Sequence, residues 1–222
     1  MIDRSIYPRP YAQAFTYNLT TPATNQPLTL LQVKEHCRLD LLDTSEDDYL
    51  NLLIDIATNF GEKYTGRDFI NKVYTTFRDN FYNPLLLRRS KVSSITSISY
   101  LINNVLTVVD PTIYNFTKVN NFSDIFLLND NVWPDGIDCV PQAVQIIFTA
   151  GYGADNTFVP SDVKFAMLNH IAYMYENRGD NYDGSGGAKL PINSKILYDK
   201  LRIVNIGSPE ANIYDNYGGR WF

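Results

Sequence analysis

Few side chains in this sequence are of the kinds that do chemistry, and none stands at a spacing that chemistry needs. There are two histidines, His36 and His170. His36 neighbours Cys37, but a Cys–His nucleophile needs the two in contact and a third group to orient the imidazole. No such group can be named from the spacing. His170 lies on an apolar helical stripe, so both histidines read as core or interface residues. Cys37 and Cys139 are far apart and neither belongs to a CxxC pair. They read as small buried apolar residues in a reducing compartment, with a disulfide between them left open.

The acidic run from Asp40 to Asp48 invites a calcium reading. Counting from Asp43 puts Ser45, Asp47 and Tyr49 at loop positions three, five and seven. Position six is then Asp48 where the sharp turn requires glycine, and position twelve is Ile54 where a bidentate glutamate is required. The run is the solvated start of a helix. Gly151-Tyr152-Gly153 follows a strand and precedes a helix, where a phosphate loop would sit. It lacks the third glycine and the Lys-Ser/Thr of a P-loop, so a tight turn needing φ > 0 is the better account. No carboxylate pair stands in a recognisable acid–base context. The expectation is therefore no enzyme, no cofactor and no metal.

What remains is the scaffold. The 222 residues are 45% hydrophobic and 19% charged, which is the balance of a folded globular chain. Sixteen Tyr and twelve Phe fit a protein with much interface, since tyrosine offers contact area with a polar tip. The net charge is −5 and no basic block exceeds Arg88-Arg89, which disfavours a sequence-reading nucleic-acid binder. The opening MIDRSIYPRPYAQAF puts charges and prolines where a secretory signal needs an apolar stretch, and no apolar run reaches membrane-spanning length. A soluble protein made in a cytoplasm is expected.

Along the chain, residues 1–28 hold four prolines and no period, and read as an extended arm. Its aromatics Tyr7, Tyr11 and Phe15, with Tyr17, suggest that it lies on a partner. Thr29 can cap a first helix through Leu30, Val33 and Cys37. A second helix follows the acidic run, with Tyr49, Leu53, Ile56, Phe60 and Tyr64 as its apolar stripe and Gly66 just past its end. From 72 to 150 the period changes to two. Val73, Thr75 and Phe77 alternate, as do Val144, Ile146 and Phe148, and turn signals at Asn83-Pro84, Asn103-Asn104, Asp110-Pro111 and Asp135-Gly136 separate short strands. An antiparallel sheet or small sandwich is expected there. Ser161 should cap a third helix that runs to about Arg178. A glycine-rich loop follows, and Pro191 or Ile192 opens a fourth helix ending near Val204. Residues 205–222 read as an extended tail whose Tyr214, Tyr217, Trp221 and Phe222 are of the kinds that anchor interfaces.

The expected class is α+β: a small helical bundle (29–71 and 151–204), a β insertion (72–150) and two extended arms. Neither helix pair makes a core alone, so each must bury the other's apolar stripe.

Five short patterns recur in order: Leu28-Thr29-Leu30 leading to Val33-Lys34-Glu35-His36-Cys37-Arg38-Leu39-Asp40; Glu62-Lys63-Tyr64-Thr65-Gly66-Arg67; Phe148-Thr149-Ala150-Gly151-Tyr152-Gly153; Val159-Pro160; and Tyr175-Glu176-Asn177-Arg178. In this order the chain resembles the head–tail connector (adaptor, or head-completion) proteins of long-tailed phages and phage-like gene transfer agents, in the form with a β insertion between helix pairs. The resemblance covers about residues 28–204. It implies a non-enzymatic virion protein, usually in a ring of twelve copies, beneath the portal protein. Such a ring extends the DNA channel and offers a platform to a stopper or tail-terminator protein. It also implies packaged DNA passing through the lumen without sequence recognition, past an acidic face. Another virion structural protein, such as a stopper, tail-completion or minor capsid subunit, is the second reading. An uncharacterised hydrolase is a distant third.

Overall fold

The computed structural model describes residues 16–89, 91–119, 122–178 and 190–203. They form two compact units, one helical and one of β-strands. The β-strands between the second and third helices make the chain α+β, with four helices and antiparallel sheets.

The helical unit takes residues 23–71 and those from 151 on. Helix α1 (Leu30–His36) starts on a capping box. The Thr29 hydroxyl accepts from the Gln32 amide at 3.2 Å, and Oε1 of the Gln32 side chain accepts from the Thr29 amide at 2.9 Å. Helix α2 (Asp47–Thr65) carries Asp47 and Asp48 in its first turn, where the helix dipole favours negative charge. It ends on Gly66 at φ 70°, whose amide donates to the Glu62 carbonyl, as a left-handed cap requires. Helix α3 (Ser161–Glu176) differs from expectation at its start. Pro160 occupies the cap position and Ser161 is already helical, with no side-chain cap bond. Helix α4 (Ile192–Leu201) follows Pro191. The core gathers Leu50, Ile54 and Ala57 of α2, Val163, Met167 and Ile171 of α3, and Tyr198 of α4 around the fully buried Phe69.

The buried face of α2 is not the expected stripe of Tyr49, Leu53, Ile56, Phe60 and Tyr64. It is Leu50, Leu53, Ile54, Ala57, Gly61 and Thr65, while Ile56 and Phe60 are exposed by 42% and 37%. The reason is steric. A Cβ on Gly61 would lie 2.7 Å from Phe69 Cε2 and 3.1 Å from the Tyr198 hydroxyl, so the small residues mark where the neighbours come closest.

The β unit holds two antiparallel sheets on one shared core. Strands β1 (Tyr17–Thr21), β2 (Lys72–Arg78), β8 (Val144–Ala150), β4 (Val92–Ile102) and β5 (Val105–Val108) lie in that order. The smaller sheet orders β3 (Leu85–Leu87), β7 (Phe122–Leu127) and β6 (Tyr114–Val119). Ile98, Val144, Ile146 and Phe148 of the first meet Leu85, Leu87 and Ile125 of the second. Strand β1 falls in the stretch expected to be a strandless arm. It pairs with β2 because Tyr17 packs edge-on against Phe148 at 5.8 Å and Thr20 hydrogen-bonds Thr75 across the ladder at 2.7 Å.

Strand β2 also turns the other face inward. Tyr74, Thr76 and Arg78 are buried, whereas of Val73, Thr75 and Phe77 only Thr75 is. A buried arginine is tolerable here because its guanidinium donates to Thr76 Oγ1 at 2.8 Å, to the Phe77 carbonyl at 2.6 Å and to the Leu86 carbonyl at 3.1 Å. Cys37 is half-buried, whereas Cys139 is exposed, against the expectation that both are buried; both thiols are free.

Candidate interaction surfaces

The acidic run folds around a cation supplied by the chain itself. Lys34, on α1, is almost wholly buried. Its Nζ lies 2.5 Å from Asp47 Oδ1 and donates to the Asp43 carbonyl at 2.6 Å. Asp40, Asp43, Glu46 and Asp47 line a shallow cleft about this ammonium. A loop that failed the calcium spacing is thus closed by a lysine. Among the described residues no group of three or more His, Cys, Asp or Glu could hold a metal ion.

Beside it, the Tyr175 hydroxyl donates to Glu46 Oε2, and Arg178 pairs with Glu46 Oε1 at 2.6 Å. These two partners hold the Glu46 carboxyl below its ordinary range. The Arg178 guanidinium lies over the rings of Tyr49 and Tyr175, at 4.6 and 4.5 Å from their centroids. The motif Tyr175-Glu176-Asn177-Arg178 therefore ties the end of α3 to the start of α2.

The histidines do no nucleophilic work. His36 meets the Phe165 ring edge-on at 6.3 Å. Burial, and secondarily the Glu176 carboxylate, pushes the Cys37 thiol up, the opposite of an activated thiolate. His170 is 8% exposed, with its Nδ1 unpartnered, and packs against Phe60 at 5.0 Å. Burial lowers its pKa to about 4. The Tyr198 hydroxyl is likewise buried and unpartnered, and burial raises it. These are core groups, although the hydrogen bonds expected of a satisfied core histidine are incomplete.

Gly151 is a turn and no phosphate cradle. It sits at φ 146°, and a Cβ there would come within 2.6 Å of the Asn71 backbone. The Asn71 amide instead donates to the Gly153 carbonyl at 2.8 Å.

The aromatic residues expected to anchor partners, Tyr7, Tyr11, Phe15, Tyr214, Tyr217, Trp221 and Phe222, lie outside the described residues. What sequence reasoning missed is apolar exposure on the folded body. Leu52, Ile56 and Phe60 run along one side of α2, and Val105, Leu106 and Val108 stand on β5, exposed by 61%, 53% and 63%. The apolar residues of β5, read with Thr107 among them, were the available signal. Among the described residues no helix is long and apolar enough to cross a membrane.

Residues 27–105 match the family model described as phage gp6-like head-tail connector protein. The match begins before α1, spans α1 and α2, and ends at the first residue of β5. None of the curated proteins matches the chain. A likeness of fold extends well beyond that segment. A chain from the neck of an empty gene transfer agent particle, computed with C6 symmetry, has a TM-score of 0.68 at 23% identity, covering 87% of this chain and 100% of that one. A chain of the virion of the native gene transfer agent particle gives 0.67 at 22%, covering 87% and 99%. The neck of the native particle computed with C12 symmetry gives 0.60 at 22%, covering 87% and 100%. These likenesses are of fold.

Proposed function

We propose that this chain is a structural subunit of a head–tail connector: an adaptor that forms a ring under the portal protein of a tailed phage or phage-like particle. The observation that carries this is the match to a neck chain over 87% of this chain and the whole of that one, together with the connector family match over 27–105. Neck structures computed with sixfold and twelvefold symmetry support a ring of copies, twelve in the fullest form. The ring extends the DNA channel and presents a platform to a stopper or tail-terminator protein, and the particle assembles in the host cytoplasm. The subunit works by holding position and has no catalytic role. Its parts are an N-terminal arm whose residues 17–21 join the sheet as β1, helical segments at 29–71 and 151–204, a β insertion (72–150) and a C-terminal tail (205–222).

The terminal aromatics are assigned to partners. Tyr214, Tyr217, Trp221 and Phe222 dock on the portal, by filling a groove or adding a strand, and Tyr7, Tyr11 and Phe15 reach a neighbour. The test is co-purification with the cognate portal protein. The full chain should bind and a chain lacking 205–222 should lose binding. Undiminished binding by the truncated chain removes the tail from the docking role, and failure of the full chain to bind the portal removes the adaptor reading.

A further inference from the structure

We propose that neighbouring copies of this chain join head to tail by pairing the β5 edge of one copy with the β1 edge of the next. The inference rests on the ring reading above and deepens it.

Strands β1 and β5 are the two outer strands of the five-stranded sheet. Natural sheets blunt such edges with charge or proline to prevent pairing between chains. Neither strand carries either: β1 reads Tyr-Asn-Leu-Thr-Thr and β5 reads Val-Leu-Thr-Val. Successive residues of a strand point to opposite faces. Val105 and Leu106 are consecutive and both more than half exposed, and Asn18 and Leu19 on β1 are likewise consecutive and exposed. A single missing layer over one face would leave only alternate residues bare. Exposure on both faces at both edges is what a missing strand alongside leaves.

The hydrogen-bonding groups of β5 are turned the right way. Asn103 and Asn104 form a two-residue hairpin loop, at φ 52° and 61°, so the flanking pair Ile102 and Val105 exchange ladder bonds. The Val109 amide donates to the Ile98 carbonyl at 2.8 Å, which keeps the same alternation at the strand's far end. The amides and carbonyls of Leu106 and Val108 therefore point away from β4, toward an added strand.

Direction distinguishes the possible pairings. All four steps from β1 through β2, β8 and β4 to β5 are antiparallel, so β1 and β5 run the same way. A copy rotated about an axis along the strands brings β1 beside β5 in parallel, and the step can repeat until it closes. A twofold contact would instead pair β5 with β5, antiparallel, and stop at two.

The test is cysteine cross-linking in the full chain with Cys37→Ser and Cys139→Ser, alone and bound to the cognate portal protein. Asn18→Cys and Val108→Cys are introduced singly and together, and treated with a short bis-maleimide. Head-to-tail pairing predicts a ladder of species beyond dimer with both cysteines. Each single variant should give none, because like edges then lie a sheet's width apart, about 20 Å at the usual strand spacing. Adding Leu106→Pro, which removes an outward amide, should abolish the ladder while the circular dichroism spectrum is unchanged. Dimers from Val108→Cys alone overturn the proposal in favour of a twofold contact. Rings seen by mass photometry or electron microscopy without cross-linking overturn it and leave the ring reading standing. No oligomer, free or on the portal, removes the ring reading and this proposal with it.

Discussion

His170 is a core residue whose burial has a cost in acid. Its imidazole is buried beside Phe60, and burial holds its pKa near 4 against an ordinary value near 6.5. Between those values the unfolded chain binds a proton that the folded chain does not, so stability rises with pH across that window. The contribution is fully present above about pH 6.5 and is lost as the pH falls toward 4, by on the order of 3 kcal/mol. The urea midpoint should drop between pH 7 and pH 5, and His170→Leu should flatten that drop. A variant as pH-sensitive as the parent would place the sensitivity elsewhere. The same side chain was legible as non-catalytic from its place on an apolar stripe. Its missing hydrogen-bond partner was not, because only the fold decides which polar atoms find one.

The existence and order of the helices and strands could be read from periodicity, and so could the stops at Gly66 and Asn103-Asn104. Which face turns inward could not be read as well. On α2 the large residues Ile56 and Phe60 suggested the core, yet the fold buries Ala57 and Gly61. Close packing rewards small residues where another ring arrives, and sequence periodicity counts only hydrophobicity. Gly61→Ala should therefore destabilise the protein by about 1–3 kcal/mol, despite alanine's better helix propensity, because the Phe69 and Tyr198 rings it would meet are fully buried. A thermal melt of the variant reads this directly; a raised melting temperature would mean that the rings can yield. On β2 the buried Arg78 is accommodated by three acceptors for its guanidinium, which hydropathy patterning does not register. Strand β1 was missed because its residues have no apolar alternation. Its place is set by a long-range partner, β2, some fifty residues away in sequence.

Across the whole molecule, charge is divided between the two units. Residues 72–150 carry six Lys or Arg and six Asp or Glu, so the β insertion is neutral. The excess acid lies in the helical segments, concentrated between α1 and α2 where Lys34 offsets only part of it. A connector lumen lined by such a surface would let DNA slide. Binding to duplex DNA at physiological salt should be weak, with a shallow dependence on salt, as measured by fluorescence anisotropy. Tight binding with a steep salt slope would contradict a passive channel wall.

The β insertion begins and ends at neighbouring residues. Lys72 pairs with Ala150 at the ends of β2 and β8, and one residue further out the Asn71 amide is bonded to the Gly153 carbonyl. Two chain ends that already lie side by side can be joined by a very short bridge without moving either helix pair. Strand β1 joins the same sheet from outside the insertion, so the exchangeable unit is β1 together with residues 72–150. Evolution could enlarge, trim or exchange it to suit a new neighbour while the helical frame that carries it keeps its own core.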